Sequence, residues 1–136
     1  MNADLSQLPG TARLATPETD TDLAALPWNP HPRFAGVALK HLVTGAATGG
    51  ALSAHLVRIE AGAELSSHVH EGSLELHEVV RGSGVCTLGG REAVYRPGVC
   101  GLIPAGVAHS VRAAAKHDGQ HGEALYILAK FAPALL

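Results

Sequence analysis

Lysine is scarce in this chain, with three residues among 136, whereas histidine appears nine times. The formal net charge is -2. There is no basic footprint of the kind nucleic-acid binding needs, which excludes nucleic acid as the main partner. No apolar run approaches the ~20 residues of a membrane span, so no membrane partner is expected. The N-terminal stretch carries Asp4, Glu18, Asp20 and Asp22 and lacks the basic start and apolar block of a secretory signal. The two cysteines, Cys86 and Cys100, form no CxxC, which removes the zinc knuckle and the thioredoxin motif. A cytoplasmic protein with two free thiols is the expectation. HExxH is missing as well, since Ser73-Leu74 and Val80-Arg81 follow His70-Glu71 and His77-Glu78. There is no GxSxG elbow, no GxGxxG and no P-loop. What is present is one domain's length of chain, 46% hydrophobic and able to bury a sizeable core.

Residues 1–33 read as a largely irregular N-terminal arm, broken by Pro9, Pro17, Pro27, Pro30 and Pro32. A short helix fits around Asp20 to Leu26, capped by Thr19, Asp20 or Thr21. Trp28 is expected to pin the arm onto the domain or a partner subunit. His31, in the same arm, reads as a solvated loop residue. From residue 34 to 136 the pattern changes to short alternating strands, with turn signals every eight to twelve residues and neither βαβ alternation nor a long amphipathic helix. That indicates an all-β sandwich or barrel. Gly89-Gly90 marks a hairpin turn, and Pro97-Gly98 fits a type II turn. The last strand has an apolar inward face of Leu125, Ile127, Ala129 and Phe131, which turns Tyr126 away from the interior.

The chemistry gathers between Gly62 and Gly82. His68 and His70 are two apart, so on a strand they face the same way, roughly 6.6 Å apart at Cα, and their imidazoles can converge on one ion. Glu75 follows across a tight connection, where an antiparallel neighbour would set its carboxylate beside them. His109 is the natural third imidazole, because a type I turn at Pro104-Ala105-Gly106, with Gly106 fourth, brings the chain back three residues before it. Three histidines and one glutamate suit a divalent transition ion (Fe, Mn, Ni or Zn) and leave up to two octahedral positions open.

Period two places His77 and Val79 on the inward face with Glu75. His77 is therefore the candidate catalytic residue, as substrate contact or proton shuttle, or else a group that orients a ligand. Glu78 points outward. Val111 and Ala113 form a small apolar wall. The inward faces of the strands carrying His41 and His55 stay open. Arg58 could meet a substrate carboxylate or lie outside the barrel. His117 and His121 read as surface, and Cys86 as a buried small hydrophobe.

This arrangement resembles the cupin superfamily. Its first motif, G-x5-H-x-H-x(3,4)-E-x6-G, is matched by Gly62, His68, His70, Glu75 and Gly82. Its second, G-x5-P-x-G-x2-H-x3-N, is matched by Gly98, Pro104, Gly106 and His109, with Ala113 where the asparagine is expected. The resemblance covers about residues 36 to 131. It implies a conical antiparallel β-barrel, or double-stranded β-helix, with the metal inside, commonly as a homodimer. It is compatible with an enzyme acting on a small molecule, either a dioxygenase or a Lewis-acid isomerase, lyase or decarboxylase. Thiol dioxygenases are less favoured, since some have lost the glutamate that Glu75 preserves. The other class is a non-catalytic sensing or binding cupin, because the ELHEVVRGSG stretch also resembles the effector-binding part of AraC-type regulators. The expected helix-turn-helix extension does not follow before Leu136.

Overall fold

Apolar side chains at every second position decide which face of each strand is inside. In the computed structural model, which describes residues 12–115 and 122–136, that rule produces twelve strands and one helical turn among the described residues. They run β1 (Arg13–Ala15), β2 (Asp20–Asp22), β3 (Asn29–Pro30), β4 (Val37–Val43), α1 (Gly45–Thr48), β5 (Ser53–Ile59), β6 (Glu64–His68) and β7 (Leu74–Arg81). Then follow β8 (Gly84–Leu88), β9 (Arg91–Tyr95), β10 (Cys100–Ile103), β11 (His109–Ala113) and β12 (Leu125–Ala132). His117 and His121 lie outside the described residues.

The strands form a six-stranded sheet in the order β10-β7-β12-β5-β4-β3 and a four-stranded sheet in the order β6-β11-β8-β9. All pairings in these two sheets are antiparallel. This is the expected all-β jelly-roll barrel, and its core is one cluster built from both sheets. Val57, Ile59, Val79, Leu125 and Ile127 from the large sheet meet Cys86, Tyr95 and Val111 from the small one. Each such large side chain contributes on the order of 1.5–3 kcal/mol when fully buried.

Register turns this core into rows across the large sheet. Ile127 of β12 pairs with Val57 on one side and Val79 on the other. The next inward row runs His77, Ala129, His55 and His41. The row beyond it runs Glu75, Phe131 and Ser53. The structure thus settles the open faces: His41 and His55 point inward. Tyr126 lies on the opposite face, where its ring meets Trp28 edge-on at 6.4 Å.

Trp28 fixes the arm to the domain through cations as well as through Tyr126. The Arg58 guanidinium lies 4.5 Å over its ring and the Lys40 ammonium 5.3 Å. Arg58 is therefore on the outside of the barrel, where it also pairs with Glu60 at 3.3 Å. Glu78, also outside, meets Lys130 at 2.8 Å.

The helix expected around Asp20 to Leu26 does not form. Asp20–Asp22 pairs instead with Arg13–Ala15 as a small hairpin. The Asp22 carboxylate accepts the Ala24 N–H at 3.0 Å, closing a turn where the helix is expected. The arm is also less separate than its prolines suggest, because Asn29–Pro30 adds an edge strand to β4.

Candidate metal centre

His68, at the end of β6, and His109, at the start of β11, are direct cross-strand partners. Their rings stand 4.2 Å apart. His70 lies beyond the end of β6, in the connection to β7, and not on the strand itself. Its ring still comes within 4.9 Å of His68 and 5.4 Å of His109. The His70 backbone is held by its carbonyl, which accepts the Gly106 N–H at 3.0 Å. That bond ties the His-x-His segment to the turn that precedes His109.

The turn itself differs from expectation. It closes through Val107 N–H to Pro104 O at 3.2 Å, which puts Gly106 third in the turn, with φ +80. That is the type II pattern, in which the third residue needs the left-handed region that glycine occupies without strain.

Glu75 enters from the other sheet. β7 pairs with β10 and β12 and not with β6, so the carboxylate faces the histidines across the barrel interior instead of from an adjacent strand. Only 4% of Glu75 is exposed, and its Oε1 lies 2.9 Å from His109 Nε2 and 3.7 Å from His70 Nε2. The candidate ligand atoms of His68, His70, Glu75 and His109 all fall within 4.8 Å of one another.

Two of the histidines are held in the tautomer that ligation through Nε2 requires. His68 Nδ1 donates to Ser66 O at 2.7 Å, and His109 Nδ1 donates to Val107 O at 3.0 Å. Each leaves its Nε2 lone pair for the centre of the cluster.

The donor set fits a metal ion on a further ground. With the proton of the neutral His109 ring on Nδ1, Glu75 Oε1 and His109 Nε2 are two buried acceptors that face each other with no donor between them, a condition that costs about 1–3 kcal/mol per group if nothing satisfies it. Their 2.9 Å separation is close to the roughly 3.0 Å expected between neighbouring ligands at right angles around an ion with bonds of about 2.1 Å. A cation between them turns the repulsion of two lone-pair donors into coordination.

Electrostatics agree with this placement. Burial pushes the Glu75 carboxyl up, but its contacts with His109 and His77 outweigh burial and hold the pKa down to about 2. The group is a carboxylate at any ordinary pH. Burial lowers His68 to about 4 and also lowers His70, keeping both neutral and able to ligate. Burial works to lower His109 too, yet the neighbouring Glu75 carboxylate and the Val107 carbonyl raise it.

His77 sits behind the cluster, 2% exposed. Its Nε2 meets Glu75 Oε2 at 2.7 Å and its Nδ1 meets the Tyr95 hydroxyl at 2.8 Å. Both ring nitrogens are engaged, a geometry that favours orienting Glu75 over shuttling protons to a substrate. Tyr95 is a site residue that the sequence pattern alone does not single out. Room for it comes from β10, where Gly101 lies opposite His77 and any Cβ would collide with the tyrosine hydroxyl. A glycine inside an otherwise apolar strand is the sequence signal of such a close approach.

The cluster opens into a cavity of about 70 Å³. Its walls are mostly apolar and include Val37, Leu39, Val57, Leu65 and Phe131. His31 of the arm also lines it, contrary to the reading of that residue as a solvated loop histidine. Its ring rests on Phe34 at 4.6 Å, and Phe34 in turn approaches His68 at 6.1 Å. A wider groove of about 470 Å³ on the barrel exterior, bordered by Ser83, Val94, Arg96 and Arg112, offers none of the ligand set.

Comparison with known proteins agrees with the geometry. Residues 55–120 match the family model described as the cupin domain, a span that holds all four candidate ligands. Among solved structures, KdgF from Halomonas sp. is 21% identical, with a TM-score of 0.64 over 79% of this chain and 86% of that one. A protein from Thermotoga maritima described as a predicted oxalate decarboxylase is 19% identical, with a TM-score of 0.70 over 82% and 96%. TT1209 from Thermus thermophilus is 26% identical, with a TM-score of 0.64 over 83% and 95%. No curated protein matches the sequence. The matched segment, the barrel around it and both histidine motifs support the cupin superfamily for this chain.

Proposed function

We propose that the protein is a metal-dependent enzyme acting on a small molecule at a three-histidine, one-glutamate centre. The observation that carries this reading is the pair of buried, unsatisfied atoms, Glu75 Oε1 and His109 Nε2, converging with His68 and His70 below a cavity. A divalent transition ion there would supply Lewis acidity, or one-electron chemistry if the ion is iron. The four side chains would hold it, and His77, steadied by Tyr95, would orient the Glu75 carboxylate. Apolar walls would exclude water and position the substrate. Aside from the ligands, His31 is the one titratable group along the cavity among the described residues, so chemistry at this site falls to the metal. Lewis-acid isomerase, lyase or decarboxylase activity and dioxygenase activity are both compatible with that arrangement. The description of the Thermotoga neighbour as a predicted oxalate decarboxylase is in keeping with the first.

The competing reading is a binding or sensing cupin without turnover. It is favoured by one fact: His77, the buried base next to the ligand set, has both nitrogens occupied. The two readings separate in a panel of small organic acids and alcohols, incubated with protein loaded with Fe(II), Mn(II), Ni(II) or Zn(II). Product formation or oxygen consumption that disappears in His68→Ala supports the enzyme. Full metal loading with ligand binding but no turnover across the panel overturns it in favour of the sensor.

A further inference from the structure

The arm residue His31 has an orientation that the metal centre alone does not explain. Its Nδ1 accepts two backbone N–H groups, from Arg33 at 3.1 Å and from Phe34 at 3.3 Å. A nitrogen that accepts twice carries no proton, so in the neutral ring the proton is on Nε2, and the tautomer is fixed by the Pro30-to-Phe34 turn itself. Burial first, and Arg33 second, lower its pKa, which keeps the ring neutral. His31 is thus a neutral N–H donor beside a cavity whose other walls offer almost no hydrogen bonding.

The cavity restricts what can sit there. At about 70 Å³ it is far below the ~300–1,000 Å³ of pockets that enclose drug-sized ligands. Sugars, with a hydroxyl on nearly every carbon, would leave most of their polar groups unpaired against Val37, Leu39, Val57, Leu65 and Phe131, at about 1–3 kcal/mol for each group. A short alkyl body fits those walls. One end of the cavity is the ligand cluster, which suits a carboxylate on the ion; another part of the wall is the single donor.

Resting on the metal-centre reading above, we propose that His31 is a substrate-binding residue and that the substrate is a short-chain oxo- or hydroxy-acid. Its carboxylate meets the metal, its alkyl body packs on the apolar walls, and its second oxygen accepts a hydrogen bond from His31 Nε2. The arm is therefore part of the site and sets its specificity.

The test uses the full chain loaded with Co(II), whose visible spectrum reports ligand binding without turnover. The probes are 4-oxopentanoate, which has a second oxygen, and pentanoate, which lacks it. Wild-type protein is expected to bind the oxo-acid about five- to tenfold more tightly, the effect of one hydrogen bond. His31→Ala should erase that preference while leaving cobalt stoichiometry and pentanoate binding unchanged. His31→Gln, which keeps an N–H donor at similar reach, should restore part of it. An equal preference in wild type and His31→Ala overturns the proposal alone, as does a wild type with none. Loss of cobalt in both His31 variants would also overturn it, by showing that the residue supports the ligands. A wild-type protein that takes up no cobalt overturns the metal reading, and this proposal with it.

Discussion

Two histidine clusters lie against the inward face of the large sheet, separated by Ala129 and Phe131 of β12. In the first, His77, Glu75 and the three histidine ligands leave Glu75 Oε1 and His109 Nε2 without hydrogen-bond partners. In the second, His41 Nδ1 and His55 Nδ1 stand 2.8 Å apart, His55 Nε2 meets the Ser53 hydroxyl at 2.9 Å, and that oxygen also accepts the Leu135 N–H at 2.9 Å. Ala129 is the cross-strand partner of both His77 and His55 and stands between the clusters. The second cluster is closed: both ring nitrogens of His55 are satisfied, and their partners are protein. The first is open, and its spare atoms point at one another. Histidine count does not distinguish a metal site from a structural network; unsatisfied convergence does.

The largest effect that would break this contrast is His109→Ala. It removes one of the convergent atoms and should weaken metal binding by a factor of about a hundred or more, with the barrel still folded, as judged by metal titration and circular dichroism. Unchanged metal content would show that His109 is not a ligand. The mirror experiment is His55→Ala in the closed cluster. It should cost roughly 2–3 kcal/mol of stability in urea unfolding, because it opens a cavity and leaves the Ser53 hydroxyl short of a partner, yet leave metal stoichiometry intact. Metal loss in that variant would mean that the two clusters act as one.

Tyr95→Phe sharpens the comparison from behind the ligands. It deletes the hydroxyl that engages His77 Nδ1 while keeping the ring in the core. The expected result is about tenfold weaker metal binding, with little change in fold. If metal affinity stays the same and stability alone falls, the His77–Tyr95 pair is structural.

A further effect concerns pH. Burial, with His41 nearby, lowers His55 to about 4, well below its unfolded value of 6.5. Between those values the unfolded chain binds a proton that the folded chain refuses, so the contribution is complete above pH 6.5 and lost as pH falls toward 4. His68 acts in the same sense and the raised His109 in the opposite one. His55→Ala should therefore show a shallower loss of stability than wild type between pH 6.5 and 4. Parallel profiles would argue that His55 does not titrate as described.

Much of the open cluster is legible in the sequence because its signal is local. His68, His70 and Glu75 stand close together in the chain, and the glycine and proline frame around them and around His109 specifies turns that any chain must make at those points. Period two correctly puts His77 with Glu75 and turns Tyr126 outward. Other features escape such a reading for physical reasons. Glu75 reaches the histidines from the opposite sheet, and strand pairing of this non-local kind is not encoded in spacing. The stretch from Asp20 to Leu26 reads as a helix because a capped helix and the turn closed by Asp22 begin with the same kind of side-chain-to-N–H bond. His31 and Tyr95 each reach the site across a long stretch of chain. Tyr95 leaves a faint trace in Gly101, and His31 leaves none.

The most direct measurement is elemental analysis of the full chain, purified without chelators and then soaked in excess divalent metal. The account predicts close to one transition-metal ion per chain in wild type after soaking, and far less in Glu75→Ala treated alike. Wild-type protein that stays substoichiometric after soaking, or a Glu75→Ala variant that binds as well as wild type, would contradict it.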